Sequence, residues 1–134
     1  MIMTTELYWL TLTALMTGLL WLPYIVNRLI EMGIPQAVFN PNSDPTPKAH
    51  WAKRMMNAHR NAIENLAVFA PLVLAVQLSG SNSALTASAA GVYFFTRLGH
   101  FTVYTLGIPG LRTVAFAVGF VCQMIFGLTA LGII

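Results

Sequence analysis

Four polar side chains recur along one hydrophobic stretch of this sequence at intervals of four, three and four residues: Tyr93, Arg97, His100 and Tyr104. On an α-helix that spacing puts all four on one face. Arg97 and Tyr104 are then about 10 Å apart along the axis at roughly 1.5 Å per residue. An extended tripeptide has about the same length, at roughly 3.3 to 3.6 Å per residue. The spacing alone also suits core or interfacial residues, but Arg97 stands in the inner half of an apolar span, where a charge calls for a cavity or a partner.

A second set, Asn57, Asn61, Glu64 and Asn65, follows spacings of four, three and one, with Arg54 and Arg60 three or four residues from its members. The expectation is one polar stripe on one helix. A Glu64 carboxylate turned to lipid is costly, so it should face the protein interior or a wet cleft and meet a cation or a hydrogen-bond donor. The solvated end of a helix with snorkelling cations is the plainer account of Lys53 and Arg54. Arg112, just after a Gly-Ile-Pro-Gly break, is either an orientation signal or a charge held over the site. His50, His59, His100 and the single Cys122 share no metal-ligand spacing, so no metal site is expected. Neither a phosphate-cradling glycine loop nor a nucleophile elbow is present.

The elements that must position these residues are set by composition. Of 134 residues, 57% are hydrophobic and 8% charged, far below the roughly 25% of a soluble domain. At about 20 apolar residues per crossing, the chain is read as a single transmembrane domain over 1–134, an all-α integral membrane four-helix bundle. The helices are expected at about 5–31, 49–78, 84–106 and 111–134. Met1 to Leu22 has no Lys or Arg before its apolar stretch and no small-residue cleavage site, so it is read as a retained first span. Pro23 should bend that span near an interface, with Trp9, Trp21 and Tyr24 in the interfacial belts. Four prolines between Gly33 and Lys48 make that stretch the one long loop. The small-residue run Ala84, Ala87, Ser88, Ala89, Ala90 and Gly91 favours close helix contact. Cys122 reads as a buried packing residue.

The charge map gives the orientation. Arg28, Lys48, Lys53, Arg54 and Arg60 flank the first loop and Arg97 and Arg112 the third connection, while the second turn and both termini carry no Lys or Arg. By the positive-inside rule both basic connections face the cytoplasm and both termini the other side. The net charge of +3 is spread along helix ends, which fits membrane orientation and no nucleic-acid partner.

Asn57-Ala-His-Arg-Asn-Ala-Ile-Glu-Asn65, followed by Pro71 in a span, resembles the second-helix signature of the membrane-associated proteins in eicosanoid and glutathione metabolism, the MAPEG family. Arg97-x-x-His100-x-x-x-Tyr104 followed by Arg112 is similar to the second signature of its microsomal glutathione transferase and prostaglandin E synthase branch. The resemblance implies a homotrimer with glutathione bound between subunits near the cytoplasmic face. Carried over by position, it implies that Arg60, Asn61, Glu64, Arg97, His100 and Tyr104 line the tripeptide and that Arg112 approaches its sulfur. It gives Arg28 and His59 the part of contacts from the neighbouring subunit. Asn57 stands where the family usually has an arginine and Lys53 where it usually has a glutamate, which removes one clamp for a carboxylate.

The implied activity is that of a membrane-bound glutathione transferase, with possible peroxidase chemistry, in detoxification. Arg60 and Arg97 would hold carboxylates through forked hydrogen bonds and Glu64 the ammonium, while Arg112 and Tyr104 would favour the thiolate. Glutathione would arrive from the cytoplasm, and a lipophilic electrophile from the surrounding membrane lipids. Two other readings are a non-catalytic lipid- or ligand-binding scaffold of the same fold, favoured by Asn57, and a small multidrug-type transporter. The transporter needs a carboxylate deep in the first helix, where this chain has Glu6 and Glu31 near the ends only.

Overall fold

The computed structural model describes residues 2–134, which form helices and connecting turns with no strand. The elements are α1 (Thr5–Leu19), α2 (Leu22–Met32), a five-residue π-helical turn (Pro35–Phe39), α3 (His50–Ser79), α4 (Ala84–Leu106) and α5 (Leu111–Ala130).

The first expected helix is two segments. Thr4 caps α1, its side chain accepting from the Leu7 N–H. Helical geometry lapses at Leu20 and Trp21, and Pro23 enters the first turn of α2, where its missing N–H leaves the Leu19 carbonyl without the usual donor. The break between the two segments thus lies two or three residues before the proline. Gly33, at φ 77°, ends α2 in a conformation that a side chain would resist.

Beyond the π-helical turn the chain runs to α3, whose N-cap residue Ala49 has no side chain to cap it. Glu31 takes that role from the end of α2, accepting from the Lys48 and Ala49 N–H groups at 2.9 Å each, while Asn27 Nδ2 donates to it at 2.9 Å. A carboxylate there also complements the positive end of the helix. Glu31→Ala is therefore expected to raise amide hydrogen exchange at Lys48 to Ala52 without changing exchange in α5; unchanged exchange at Lys48 and Ala49 would show that the clasp is not holding them.

α3 carries Pro71 without interruption and closes at Gly80 in the left-handed region. Ser83 and Thr86 form a capping box at the start of α4. The Thr86 hydroxyl also donates to Glu6, so that buried carboxylate ties α1 to α4. α5 stops at Ala130, four residues short of the expected end, because Gly132 at φ 69° turns the chain and its neighbour Ile133 bonds back to the Leu128 carbonyl.

α3 and α4 touch each other and both touch α1 and α5. Their core is apolar: the Phe69 and Tyr93 rings stack at 3.6 Å, Phe126 meets Phe69 edge-on, and Val73, Val76, Ala89, Ala90 and Cys122 fill the remainder. Trp9 is set between α1 and α4 rather than in an outer belt. A Cβ on Gly91 would lie 3.2 Å from its indole, so glycine is what permits the approach. Three helical stretches are long and apolar enough to cross a membrane: Thr5–Met32, His50–Ser79 and Leu111–Ala130. α4 is long enough, at about 35 Å by 1.5 Å per residue, but Arg97, His100 and its Ser, Thr and Gly content make it less apolar.

Candidate functional site

Arg97 is the centre of the polar interior. It is 2% exposed, and its Nη2 donates to the Asn61 amide oxygen at 2.5 Å. Among the described residues this is its only hydrogen-bond partner, and its Nε has none. Asn65 Nδ2 donates to the Asn61 carbonyl at 2.9 Å, and Gln123 Nε2 donates to the Asn65 carbonyl at 3.2 Å. An amide ladder from α3 and α5 thus runs to the guanidinium on α4. Amides satisfy its geometry but bring no negative charge, and a buried cation without an anion is costly.

The polar stripe expected on one helix is two ridges. Asn61 and Asn65 point inward, towards Arg97 and Gln123, whereas Arg60 and Glu64 lie on the exposed side of α3. The division follows from helical geometry, since residues four apart stay in line while a step of one turns the side chain by about 100°.

Around this interior are two cavities that share no lining residue. One, of about 250 Å³, opens between α4 and α5 and is lined by His100, Tyr104, Arg112, Thr113 and Phe116. Here Arg112 Cζ lies 4.7 Å from the centre of the Tyr104 ring, a separation that permits cation–π attraction. His100 is buried with its Nδ1 unpartnered. The other, of about 280 Å³, lies between α2 and α3 and is lined by Tyr24, Met56, His59, Arg60, Ile63 and Glu64. Glu64 faces a cleft, as its charge requires, and Arg60 lines the same cleft, but Glu64 has no hydrogen-bond partner among the described residues.

His59 lines that cleft and is also held from within the chain. Its Nε2 meets the Thr17 carbonyl at 2.9 Å and its Nδ1 the Tyr24 hydroxyl at 2.7 Å, so both ring nitrogens are taken within the chain. Because a carbonyl only accepts, Nε2 carries a proton. The imidazole fastens the first helix on both sides of its break. Arg28 stands apart from both cavities: its Nη2 donates to Ser43 Oγ at 2.8 Å and its Nε is buried without a partner. One chain therefore brings Arg97 to Asn61, and His100 to Tyr104 and Arg112, but no single cavity joins Glu64 to Arg97.

Two contributors were not visible in the sequence. Gln123 is embedded in an apolar run whose hydrophobicity conceals it, Thr113 stands beside Arg112 with no spacing of its own to mark it, and only the pairing of α5 with α3 and α4 reveals their surroundings.

An all-helical chain with three membrane-length apolar helices has the character of an integral membrane protein, here with a charged, amide-lined cluster in its interior. A sequence model of the MAPEG family matches residues 7–132, and the chain belongs to that family. Comparison with curated proteins and with solved structures gives no match.

Proposed function

We propose that this protein is a membrane-bound glutathione transferase, with peroxidase chemistry open to the same activated thiol. The observation that carries the reading is Arg97: a nearly fully buried guanidinium, hydrogen-bonded among the described residues only to an amide, in a chain whose cavity between α4 and α5 adds Arg112, His100 and Tyr104. Such a cluster favours an anionic ligand with a second group to be held as an anion. Glutathione supplies carboxylates and a thiol. Arg97 and Arg60 would take carboxylates in forked contacts, Asn61 would orient Arg97, Glu64 would receive the ammonium, and His100 would offer its unpartnered nitrogen. Arg112, with the Tyr104 hydroxyl, would stand at the sulfur.

In this reading α4 also crosses the bilayer, which makes four spans, the loop between α2 and α3 and the α4–α5 turn face the cytoplasm, and both termini face the other side. The two separate cavities support a site shared between copies in a homotrimer. The cationic cavity of one subunit lacks the carboxylate that Glu64 presents on another face, and Arg28 would reach a neighbour's site. Glutathione enters from the cytoplasm. The electrophile, an aryl halide, an unsaturated carbonyl or a lipid hydroperoxide, arrives from the bilayer.

The test is binding. Purified protein with glutathione should show the ultraviolet band of a thiolate, and Glu64→Ala should weaken glutathione affinity more than Lys53→Ala does. A reversed ranking would mean that the α2–α3 cleft is not the amine end of the site. The scaffold reading draws on Asn57, which leaves one carboxylate clamp fewer. Turnover of chlorodinitrobenzene in membranes, lost in Arg112→Ala, would set it aside.

A further inference from the structure

Arg54, on the second turn of α3, reaches across to the far end of α4. Its Nε donates to the Thr105 carbonyl at 2.9 Å. The turn after α4 satisfies its neighbours by itself: the Gly107 N–H bonds to the Tyr104 carbonyl at 3.1 Å and the Ile108 N–H to the Val103 carbonyl at 3.0 Å. The Thr105 carbonyl is outside that pattern, and Arg54 takes it at the helix end where partial negative charge collects. Gly107 completes the fit. It sits at φ 74°, and a Cβ there would lie 3.2 Å from the Arg54 guanidinium carbon.

Arg112 depends on this turn. α5 begins at Leu111, four residues after Gly107, so the backbone that carries Arg112 is placed by the turn. Arg112 is exposed and makes no hydrogen bond of its own among the described residues, resting only over the Tyr104 ring. We infer that Arg54 is a positioning residue for thiol activation: by clasping the end of α4 it fixes the α4–α5 turn and holds Arg112 over Tyr104. This rests on the reading of the α4–α5 cavity as the sulfur end of the glutathione site. Without the clasp the cationic group remains in place chemically but loses its geometry, and misplacement by about 1 Å can cost up to about a hundredfold in rate.

The experiment is a double-mutant cycle on the whole chain in detergent or liposomes, using Arg54→Met, Arg112→Ala and the pair together, with Arg54→Lys as the conservative variant. Two readouts are taken: kcat and KM for glutathione conjugation, and hydrogen exchange across residues 105–113 without ligand. Arg54→Met is expected to lower kcat about tenfold with little change in KM, and to raise exchange across the turn. Because Arg54 acts through Arg112, the pair should be no worse than Arg112→Ala alone, and Arg54→Lys should recover most of the rate. Multiplicative losses in the double variant, or an Arg54→Met protein with wild-type kcat and exchange, would overturn the proposal. Wild-type protein with no glutathione-dependent activity would sink the functional reading instead, and exchange at the turn would still decide whether the clasp exists.

Discussion

Arg97→Met is expected to remove tight glutathione binding while leaving the ligand-free protein as stable as the wild type or more so. The two effects come from one fact, the burial of a guanidinium whose only partner among the described residues is Asn61. A hydrogen bond to a charged group is worth about 1.5 to 3 kcal/mol. Losing a forked pair to a carboxylate therefore costs about a hundredfold or more in affinity, at about 1.4 kcal/mol for each factor of ten. In the empty protein the same charge is a burden, and replacing buried charges by apolar groups of similar volume is commonly neutral or stabilising. Thermal unfolding in detergent, with and without glutathione, separates the terms: Tm without ligand should hold or rise, and the upward shift on adding glutathione should vanish. A lower ligand-free Tm with an undiminished shift would make Arg97 a structural residue.

The second large effect belongs to Arg112. A free thiol has a pKa of about 8.5, so little thiolate exists at neutral pH unless a cation favours it. Each unit of lowering requires about 1.36 kcal/mol of preference for the anion, within the range of a partly desolvated guanidinium. Removal of a donor aimed at a developing oxyanion typically costs about a hundredfold to a thousandfold, and Arg112→Ala should approach the lower figure at neutral pH. The sign with pH is definite. A lowered thiol pKa keeps the reactive form present at lower pH, so the variant's kcat/KM should recover as pH rises through the ordinary thiol range and approach the wild type at the alkaline end. Tyr104→Phe should act in the same direction and more weakly, since it removes the hydroxyl while keeping the ring beneath Arg112. A pH profile for Arg112→Ala that lies parallel to the wild type would assign the arginine to binding alone.

Where charge and hydropathy decide an element, the sequence was legible. α4 occupies the residues that its apolar run and flanking turns predict, and the start of α5 follows from the Gly-Ile-Pro-Gly break. Burial of Arg97 was legible for the same reason, because an arginine inside an apolar stretch has few places to go. What could not be read is direction around a helix. Asn61 and Glu64 are three residues apart and were expected to share a stripe, yet one turns inward to Arg97 and the other to the α2–α3 cleft. That choice depends on which neighbour lies where, a tertiary fact with no local signal. His59 makes the same point: no local signal announces the Thr17 carbonyl on α1 and the Tyr24 hydroxyl on α2 that hold its ring. Gln123 and Arg54 likewise acquire meaning only through partners more than 50 positions away.

The bond from Thr86 to Glu6 spans 80 positions of sequence, and Trp9 waits on Gly91 over a similar distance. Synthesised before α4, the start of α1 finds neither partner until α4 has been made. Contacts of such separation form late, because the intervening chain must first be ordered. α1 is thus among the last helices to be locked, and during biosynthesis Glu6 waits for its Thr86 donor until the third apolar stretch arrives.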